Sequence, residues 1–158
     1  MSSRTEFLAT LPRRRVTAGA LIRDEAGRVL LVESLNKDRW LTPGGTVESH
    51  ESPAQGAVRE VVEELGVRLT IGRALVMQWV QADDDPDGVL HFAYDGGVVD
   101  ASTIERFRLP PVELASYRFV DPGAVPMLAS PETSAASRSC NRRPRARHVH
   151  RARPLKGL

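Results

Sequence analysis

Residues 44–67 read GGTVESHESPAQGAVREVVEELGV, and this stretch decides the fold. Ser52 is a good helix N-cap, Pro53 suits the first helical position, and Gln55 completes a Ser-x-x-Gln capping box. Gly66 stands where a left-handed residue commonly ends a helix. The stretch therefore predicts a glycine-rich loop followed by one well-capped helix.

The predicted helix has one apolar face. At about 100° per residue, with Ala57 at zero, its apolar residues fall between roughly 40° and 140° on a helical wheel. These residues are Ala54, Val58, Val61, Val62 and Leu65. The stripe predicts a half-buried helix with Val58 and Val61 at the centre of the buried side.

Three glutamates share another face of the helix. Glu60, Glu63 and Glu64 fall near roughly 300°, 240° and 340° on the same wheel. Like charges at this spacing destabilise an isolated helix by about a few tenths of a kcal/mol per pair. A divalent cation would remove the repulsion, because Mg²⁺ takes oxygen ligands from carboxylates, water and substrate phosphates. The alternative is a solvated acidic face in which Arg59 pairs with Glu63, and the helix alone leaves both open.

The spacing of these residues along the chain favours a metal site over a solvated acidic face. Gly45 is followed after five residues by Glu51, and after seven more by Arg59 and Glu60. The remaining specified positions are Val61, Glu63, Glu64, Gly66 and Val67. A chance match of the whole pattern is on the order of one in ten million. The chain therefore resembles the Nudix hydrolase superfamily, whose signature is this box, residues 45–67.

The resemblance covers roughly residues 13 to 125 and implies an α/β class. It implies the Nudix fold, an α/β/α sandwich around a mixed β-sheet in which the box forms a loop, a helix and a loop. Strand patterns on both sides agree with that layout. They span residues 15–22 and 28–33 as one hairpin, 68–81 and 88–99 as a second hairpin, and 110–120 as a turn and a last strand.

The resemblance also implies a reaction and its metal. Its members usually hydrolyse a nucleoside diphosphate linked to another group, and they require Mg²⁺ or Mn²⁺. Carried over by position, the metal ligands are Glu60, Glu63, Glu64 and the Gly44 carbonyl. Glu51 would bind through water or support these ligands.

The catalytic base has two candidates. Some members use the carboxylate at the position of Glu60, held by the neighbouring Arg59, whereas others use a glutamate from a later loop, where Glu113 stands.

One residue departs from the pattern, because many relatives have glycine immediately before the first glutamate of the box and this chain has His50. His50 leaves the conformation of the loop in doubt.

Substrate contacts are expected from aromatic residues and a histidine. Trp40 and Trp79 are candidates for stacking on a base, and His91 is a candidate for lining the nucleoside pocket. Each residue also suits ordinary packing. Oxidised or ordinary nucleoside triphosphates and sugar nucleotides all remain open as substrates. The alternative function is a Nudix domain that senses a nucleotide without cleaving it, which the complete set of box residues argues against.

Composition supports a single soluble domain. The 158 residues are 41% apolar and 27% charged, and no run approaches the roughly 18 apolar residues that span a bilayer. The N-terminus lacks the apolar stretch of a secretion signal, so a cytoplasmic protein without membrane partners is expected. One cysteine, Cys140, excludes an internal disulfide. Because dimers are frequent in the family, the resemblance leaves a homodimer open.

The net charge of +2 hides an uneven distribution. Residues 1–133 have 14 Lys and Arg against 20 acids, giving −6, whereas residues 134–158 have 8 against none, giving +8. Residues 127–158 have little to bury and are predicted to form a mostly disordered basic tail. The predicted organisation is an N-terminal extension (1–12), a Nudix domain (13–126) and this tail. Nucleic acid would bind only through the tail, if at all.

Overall fold

The structure of the protein is a computed structural model that describes residues 3–11, 13–36, 39–82 and 85–140. Its strands are β1 (Arg15–Asp24), β2 (Val29–Ser34), β3 (Trp40–Leu41), β4 (Gly44–Thr46), β5 (Ala74–Ala82), β6 (Asp85–Val99) and β7 (Leu114–Val120). Its helices are α1 (Arg4–Thr10), α2 (Pro53–Leu65), α3 (Ala101–Ile104), α4 (Val125–Leu128) and α5 (Pro131–Cys140). In the ranges described, every helix is too short or too polar to cross a membrane.

One mixed sheet joins these strands. Its order is β3-β2-β1-β6-β5, with β4 paired to β1 and β7 paired to β2. Strands β1 and β6 run parallel, with Ala18 opposite Phe92, and the other pairs are antiparallel. A parallel pair requires a long crossover, and α2 lies in the chain between these two strands. The predicted α/β class with a mixed sheet is confirmed.

Strand β1 divides the core into two layers because its side chains alternate between the faces of the sheet. Ala20 and Ile22 pack with Val61 and Leu65 of α2 on one face. Leu21 packs on the other face with apolar side chains of α4 and α5, Val125 and Ala136. Helices therefore cover both faces, as an α/β/α sandwich requires.

Both predicted hairpins form. In the first, Arg28 donates from its backbone N–H to Asp24 Oδ1 at 2.8 Å and from Nε to Asp24 Oδ2 at 2.7 Å, which closes the turn between β1 and β2. In the second, Trp79 of β5 lies opposite Leu90 of β6. Strand β5 begins at Ala74 rather than at residue 68, because the chain first crosses the core as a loop and packs Leu69 and Ile71 there, among other side chains.

Helix α2 is rotated relative to the predicted stripe. Its fully buried apolar side chains are Ala57, Val61 and Leu65, whereas Val58 and Val62 are only partly buried. On the wheel, the buried side is therefore shifted toward the glutamates by roughly 50°. Helix α2 contacts both β1 and β4, and on the β4 side the Glu60 carboxylate lies against Gly45.

The prediction of a disordered tail from residue 127 is wrong for residues 127–140. Helices α4 and α5 lie in this part of the chain, and Val125 and Ala136 are fully buried against the sheet. The sequence prediction failed because α5 buries small and hydroxyl-bearing side chains, which have no hydrophobic signature. The rest of the predicted tail, residues 141–158, lies outside the described residues, as do residues 83–84 at the tip of the second hairpin.

Candidate active site

The glycines of β4 bring the backbone of the box against strand β1 and helix α2. Gly44 pairs with Gly19 and has a φ of +155°, and a Cβ on Gly44 would lie 2.5 Å from the carbonyl oxygen of Ala18. A Cβ on Gly45 would overlap the carboxylate of Glu60, at 2.6 Å from its Cδ and 2.7 Å from its Oε2. A side chain at position 44 would therefore collide with the backbone of β1, whereas one at position 45 would displace the Glu60 carboxylate.

Helix α2 presents the acids of the box to this backbone, and its ends form as predicted. Ser52 Oγ accepts from the Gln55 N–H at 3.3 Å, and Gln55 Oε1 accepts from the Ser52 N–H at 2.8 Å. Gly66 ends the helix with a φ of +70°. Because both ends are fixed, the rotation of the helix and the direction of its glutamates are fixed as well.

Arg59 connects the acids of the box to one another. Its guanidinium donates to both carboxylate oxygens of Glu51, at 2.8 and 3.2 Å, and to Glu60 Oε1 at 2.9 Å. It also donates to Glu63 Oε2 at 2.7 Å and to the carbonyl oxygen of Thr46 at 2.8 Å. The Glu51 and Glu60 side chains are only 15% and 14% exposed, against 52% for Glu63. Arg59 is therefore the common counter-ion of two nearly buried carboxylates and one exposed carboxylate.

The cluster separates the protonation behaviour of its acids. Hydrogen bonds from Arg59 hold the pKa of Glu51 below its ordinary value. Burial raises the pKa of Glu60, Arg59 opposes that rise, and the negative charges of Glu63 and Glu113 add to it. The hydrogen bonds that Arg59 donates to Glu51 are the largest effect on Arg59 and raise its pKa, so its positive charge is constant at working pH. The raised pKa of Glu60 sets it apart from Glu51, whose pKa is lowered.

The donor chemistry fits a hard divalent cation, although Arg59 now neutralises the acids. Glu64 accepts from the Gly44 N–H at 3.0 Å, so its carboxylate lies beside the loop whose Gly44 carbonyl is a predicted ligand. Across the residues that the structure describes, no group of three or more His, Cys, Asp or Glu side chains is arranged to hold a metal ion. Mg²⁺ commonly takes one or two carboxylates and completes its shell with water and phosphate oxygens. The assignment of Glu60, Glu63 and Glu64 as metal ligands therefore stays a prediction.

A cavity of about 520 Å³ opens next to the box, on the face of the sheet that α5 covers. Gly44 and Gly45 form one side of it, and His91 lies in its wall with Thr17, whose Oγ1 is 2.9 Å from His91 Nδ1. Its volume is within the range of roughly 300–1,000 Å³ that small-molecule sites occupy. A substrate in this cavity would reach the acids of the box from the side of the glycines.

The sequence matches the NUDIX domain family over residues 13–140. The chain belongs to the Nudix family. It is 54% identical over 48 residues to human diphosphoinositol polyphosphate phosphohydrolase 3-alpha, a match that covers 30% of this chain and 29% of that protein. The chain thus spans less than a third of the length of the curated relatives it matches.

Solved structures agree on the Nudix fold. The MutT protein of Methanosarcina mazei Go1 is 27% identical, with a TM-score of 0.67 over 83% of this chain and 96% of that chain. The NUDIX domain of Shewanella oneidensis NrtR, complexed with ADP ribose, is 16% identical, with a TM-score of 0.67 over 88% of this chain and 97% of that chain. The second likeness is informative for the fold alone. The predicted Nudix fold is confirmed.

The Nudix domain brings some of the predicted site residues together and leaves others apart. Glu113 is exposed and near enough to Glu60 to affect its pKa, and its carbonyl accepts from the Leu35 N–H at 2.9 Å, which anchors the later loop. Of the predicted substrate contacts, His91 lines the cavity. His50 is exposed in a turn before Glu51, and its side chain makes no hydrogen bond or ion pair to another described residue.

Neither tryptophan lines the cavity. The Arg118 guanidinium lies 3.8 Å from the centre of the Trp40 ring, so this face of the indole is covered by a cation rather than open to a base. Trp79 is 49% exposed and lies on the opposite face of β5 from Val80, which does line the cavity. Base stacking by either residue stays a prediction, and the geometry of the cavity gives it no support.

Sequence reasoning missed the wall that α5 and the β3–β4 segment provide. Ser130, Glu132 and Thr133 line the cavity, as does Arg39. The Ser130 N–H donates to the Trp40 carbonyl at 3.2 Å, and the Thr42 N–H donates to Thr133 Oγ1 at 3.3 Å. These long-range bonds hold the N-terminal turn of α5 beside the box. The short apolar pattern of Val125–Leu128 was the available signal that the chain still folds beyond residue 126.

Proposed function

We propose that the chain hydrolyses a diphosphate bond in a nucleoside diphosphate linked to another group, with Mg²⁺ or Mn²⁺ as the cofactor. One observation carries the proposal: Arg59 holds Glu51, Glu60 and Glu63 together, and the Glu60 carboxylate lies against Gly45, which lines a cavity of nucleotide size. The family's curated member named above is a phosphohydrolase by name. The volume of the cavity is what supports a nucleotide as the substrate.

The proposed role of each residue follows from its charge. A diphosphate repels a nucleophile, and a bound divalent cation would neutralise phosphate oxygens and orient the attacking water. Glu63 and Glu64 would hold the cation, with Glu60 and the Gly44 carbonyl completing the protein ligands. Arg59 would keep Glu60 and Glu51 in place while the substrate binds, because its four partners fix the guanidinium on several sides.

Glu60 is the base that the geometry supports best. Its carboxylate lies against Gly45 at the cavity and its pKa is raised by burial, so it can take up the proton that the attacking water releases. Glu113 is the alternative base, because it is exposed on a loop close enough to act on Glu60 electrostatically. Substitution of each glutamate by glutamine separates the two.

The test is hydrolysis of a panel of nucleoside triphosphates, sugar nucleotides and diphosphoinositol polyphosphates, with Mg²⁺, with Mn²⁺ and with a chelator. In ¹⁸O-labelled water, mass spectrometry of the products identifies the phosphorus that is attacked. Glu63→Gln is expected to lower kcat/KM by about a hundredfold or more, since a ligand charge is lost at the reacting centre. Glu48→Gln is the matched control, because Glu48 is exposed in the loop of the box and bonds to Glu51 only through its backbone N–H and carbonyl.

Two results would contradict the proposal. Turnover that is unchanged by a chelator would exclude a metal requirement. Equal activity in Glu63→Gln and Glu48→Gln would exclude Glu63 as a metal ligand. Nucleotide binding with no hydrolysis under any metal would instead support a sensing domain.

A further inference from the structure

Strand β5 forms one edge of the sheet. It pairs with β6 and, among the described strands, with no other. An edge strand leaves a row of N–H and C=O groups that can pair with another chain, and native edges are usually protected by charges, proline or bulges. The nine residues of β5, ALVMQWVQA, include no charged residue and no proline. Because its pairing with β6 is irregular near both ends, Val76–Val80 is the regular and unprotected part of the edge.

The exposed face of β5 is apolar and lies on the side of the sheet away from the cavity. Val80 lines the cavity, so Met77 and Trp79 lie on the opposite face. Their cross-strand neighbours there are Phe92 and Leu90 of β6, which are partly buried. Helix α2 packs on this side mainly over β1 and β4, which leaves Met77 and Trp79 67% and 49% exposed. Large apolar side chains grouped on an exposed face indicate an interaction surface.

Trp79 is ordered by contacts within its own hairpin. Its indole lies across Gly88, where a Cβ would be 2.7 Å from Cε2 of the ring. Its Nε1 donates to Gln81 Oε1 at 3.3 Å. A side chain that is already ordered loses less conformational entropy on association, and tryptophan is among the residues that contribute most to protein interfaces.

The charges beside β5 favour a second copy of the same strand as the partner. Arg73 precedes the strand and is exposed, whereas four aspartates follow it, at positions 83, 84, 85 and 87. Two antiparallel copies bring the basic end of each strand to the acidic end of the other, and parallel copies would bring like charges together. Charge complementarity therefore selects an antiparallel pair, with an uncharged stretch between its two ends.

The faces of the strand also fix the register of such a pair. Side chains directly opposite each other across two strands share a face, so a two-fold axis perpendicular to the sheet passes through a residue and not between two residues. Gln78 is the centre of the regular stretch Val76–Val80. With Gln78 opposite its own copy, Met77 of each chain lies opposite Trp79 of the other.

We propose that β5 is a self-association surface, through which two copies of the chain pair antiparallel about Gln78 and join their sheets into one. The interface consists of two strand edges with Met77 and Trp79, which places it among small interfaces. The dissociation constant is therefore expected to be on the order of 10 μM. Because the axis is perpendicular to the sheet, the cavities of both copies lie on the same side of the joined sheet.

Sedimentation equilibrium of the full-length protein from about 1 to about 500 μM covers both sides of that constant. The mass is expected to rise from 17.4 kDa toward twice this value. Met77→Lys is expected to weaken association at least about tenfold, because a lysine on an edge strand opposes pairing. Met127→Lys is the matched control, since Met127 is 87% exposed on α4, and it should associate like the unchanged protein.

Two further measurements test the register. Trp79→Glu should also be monomeric, but an equimolar mixture of Met77→Lys and Trp79→Glu should associate, because the introduced charges are opposite in sign and face each other. In a Cys140→Ser background, Gln78→Cys should form a disulfide-linked dimer under mild oxidation. Opposite Cα atoms of an antiparallel pair are about 4.5–5.5 Å apart, which suits a disulfide. Met127→Cys in the same background should stay unlinked.

A mass of 17.4 kDa at about 500 μM would overturn the proposal and leave the edge to an extended segment of another protein. Equal association of Met77→Lys and Met127→Lys would place any dimer on another surface. A mixture that stays monomeric, together with no disulfide at Gln78→Cys, would overturn the antiparallel register. The cross-link does not depend on whether Trp79→Glu folds, and the masses do not depend on hydrolysis.

Discussion

Replacing Arg59 by glutamine tests whether one guanidinium holds the acids of the box together. The substitution removes the hydrogen bonds to Glu51, Glu60, Glu63 and the Thr46 carbonyl. It leaves the Glu51 and Glu60 carboxylates, 15% and 14% exposed, without their counter-ion. The lost pair with Glu63 contributes little to the change in the free energy of unfolding, because an ion pair this exposed is worth about 0–1 kcal/mol.

The magnitude follows from Glu60, the partner whose burial is sufficient to raise its pKa. Removing one partner of a buried ion pair costs about 3–5 kcal/mol, and partial exposure with some solvent access reduces this. We expect Arg59→Gln to lower the free energy of unfolding by about 2–4 kcal/mol without metal, or the Tm by roughly 5–15 °C. Arg59→Lys keeps the charge but cannot form the bidentate contact with Glu51, so it should recover less than about half of the loss.

Urea denaturation in the presence of a chelator measures the effect, with Arg68→Gln as the control. Arg68 is exposed just beyond helix α2, and its substitution should change the free energy of unfolding by less than about 0.5 kcal/mol. A loss in Arg59→Gln no larger than that of the control would refute the account of Arg59 as the common counter-ion. An equal loss in Arg59→Lys and Arg59→Gln would show that geometry, rather than charge, is what Arg59 supplies.

Two further predictions concern the box loop and the first hairpin. Gly45→Ala should lower kcat/KM by about tenfold to a hundredfold with little change in the free energy of unfolding, because the new Cβ displaces the Glu60 carboxylate. Gly123→Ala, where a Cβ meets nothing within 4 Å, is the control in the same steady-state assay. Equal kcat/KM in both variants would count against the contact between Gly45 and Glu60. Burial alone would raise the pKa of Asp24, but the hydrogen bonds and charge of Arg28 outweigh it and lower the pKa below 3.8. Because the folded pKa is depressed, the stabilisation is present above pH 3.8 and is lost as the pH falls through the folded value. Asp24→Asn should therefore cost about 1 kcal/mol in urea denaturation at pH 7 and less at pH 3, and a pH-independent difference would exclude this linkage.

The local features of the fold were predictable because their causes are local. Ser52 and Gln55 cap the helix through bonds within four residues, and Gly66 ends it by its own backbone conformation. The hairpin at Asp24 and Arg28 closes in the same way. The spacing of the box then identified the family, since its residues lie on one loop and one helix.

The features that sequence reasoning missed depend on distant contacts. Ala18 lies opposite Phe92 in the parallel pair, and Thr42 bonds to Thr133 across 91 positions of the chain. The orientation of α2 depends on its packing against β1 and β4, which the apolar pattern of the helix alone does not contain. Helix α5 was missed because its buried residues, such as Thr133 and Ser137, are polar and become internal only when the sheet is present.

The box and the wall that the N-terminal end of α5 adds to the cavity come from segments that can be exchanged separately. The acids of the box and their arginine lie within residues 45–67, whereas the opposite wall is built at the N-terminus of α5 and is joined to the sheet by a few hydrogen bonds. Grafting residues 127–140 from another member of the family would change the wall of the cavity and leave the proposed hydrolytic residues untouched. Such chimeras would offer a route to altered substrate choice on an unchanged reaction centre, and the same separation would let evolution diversify one without risk to the other.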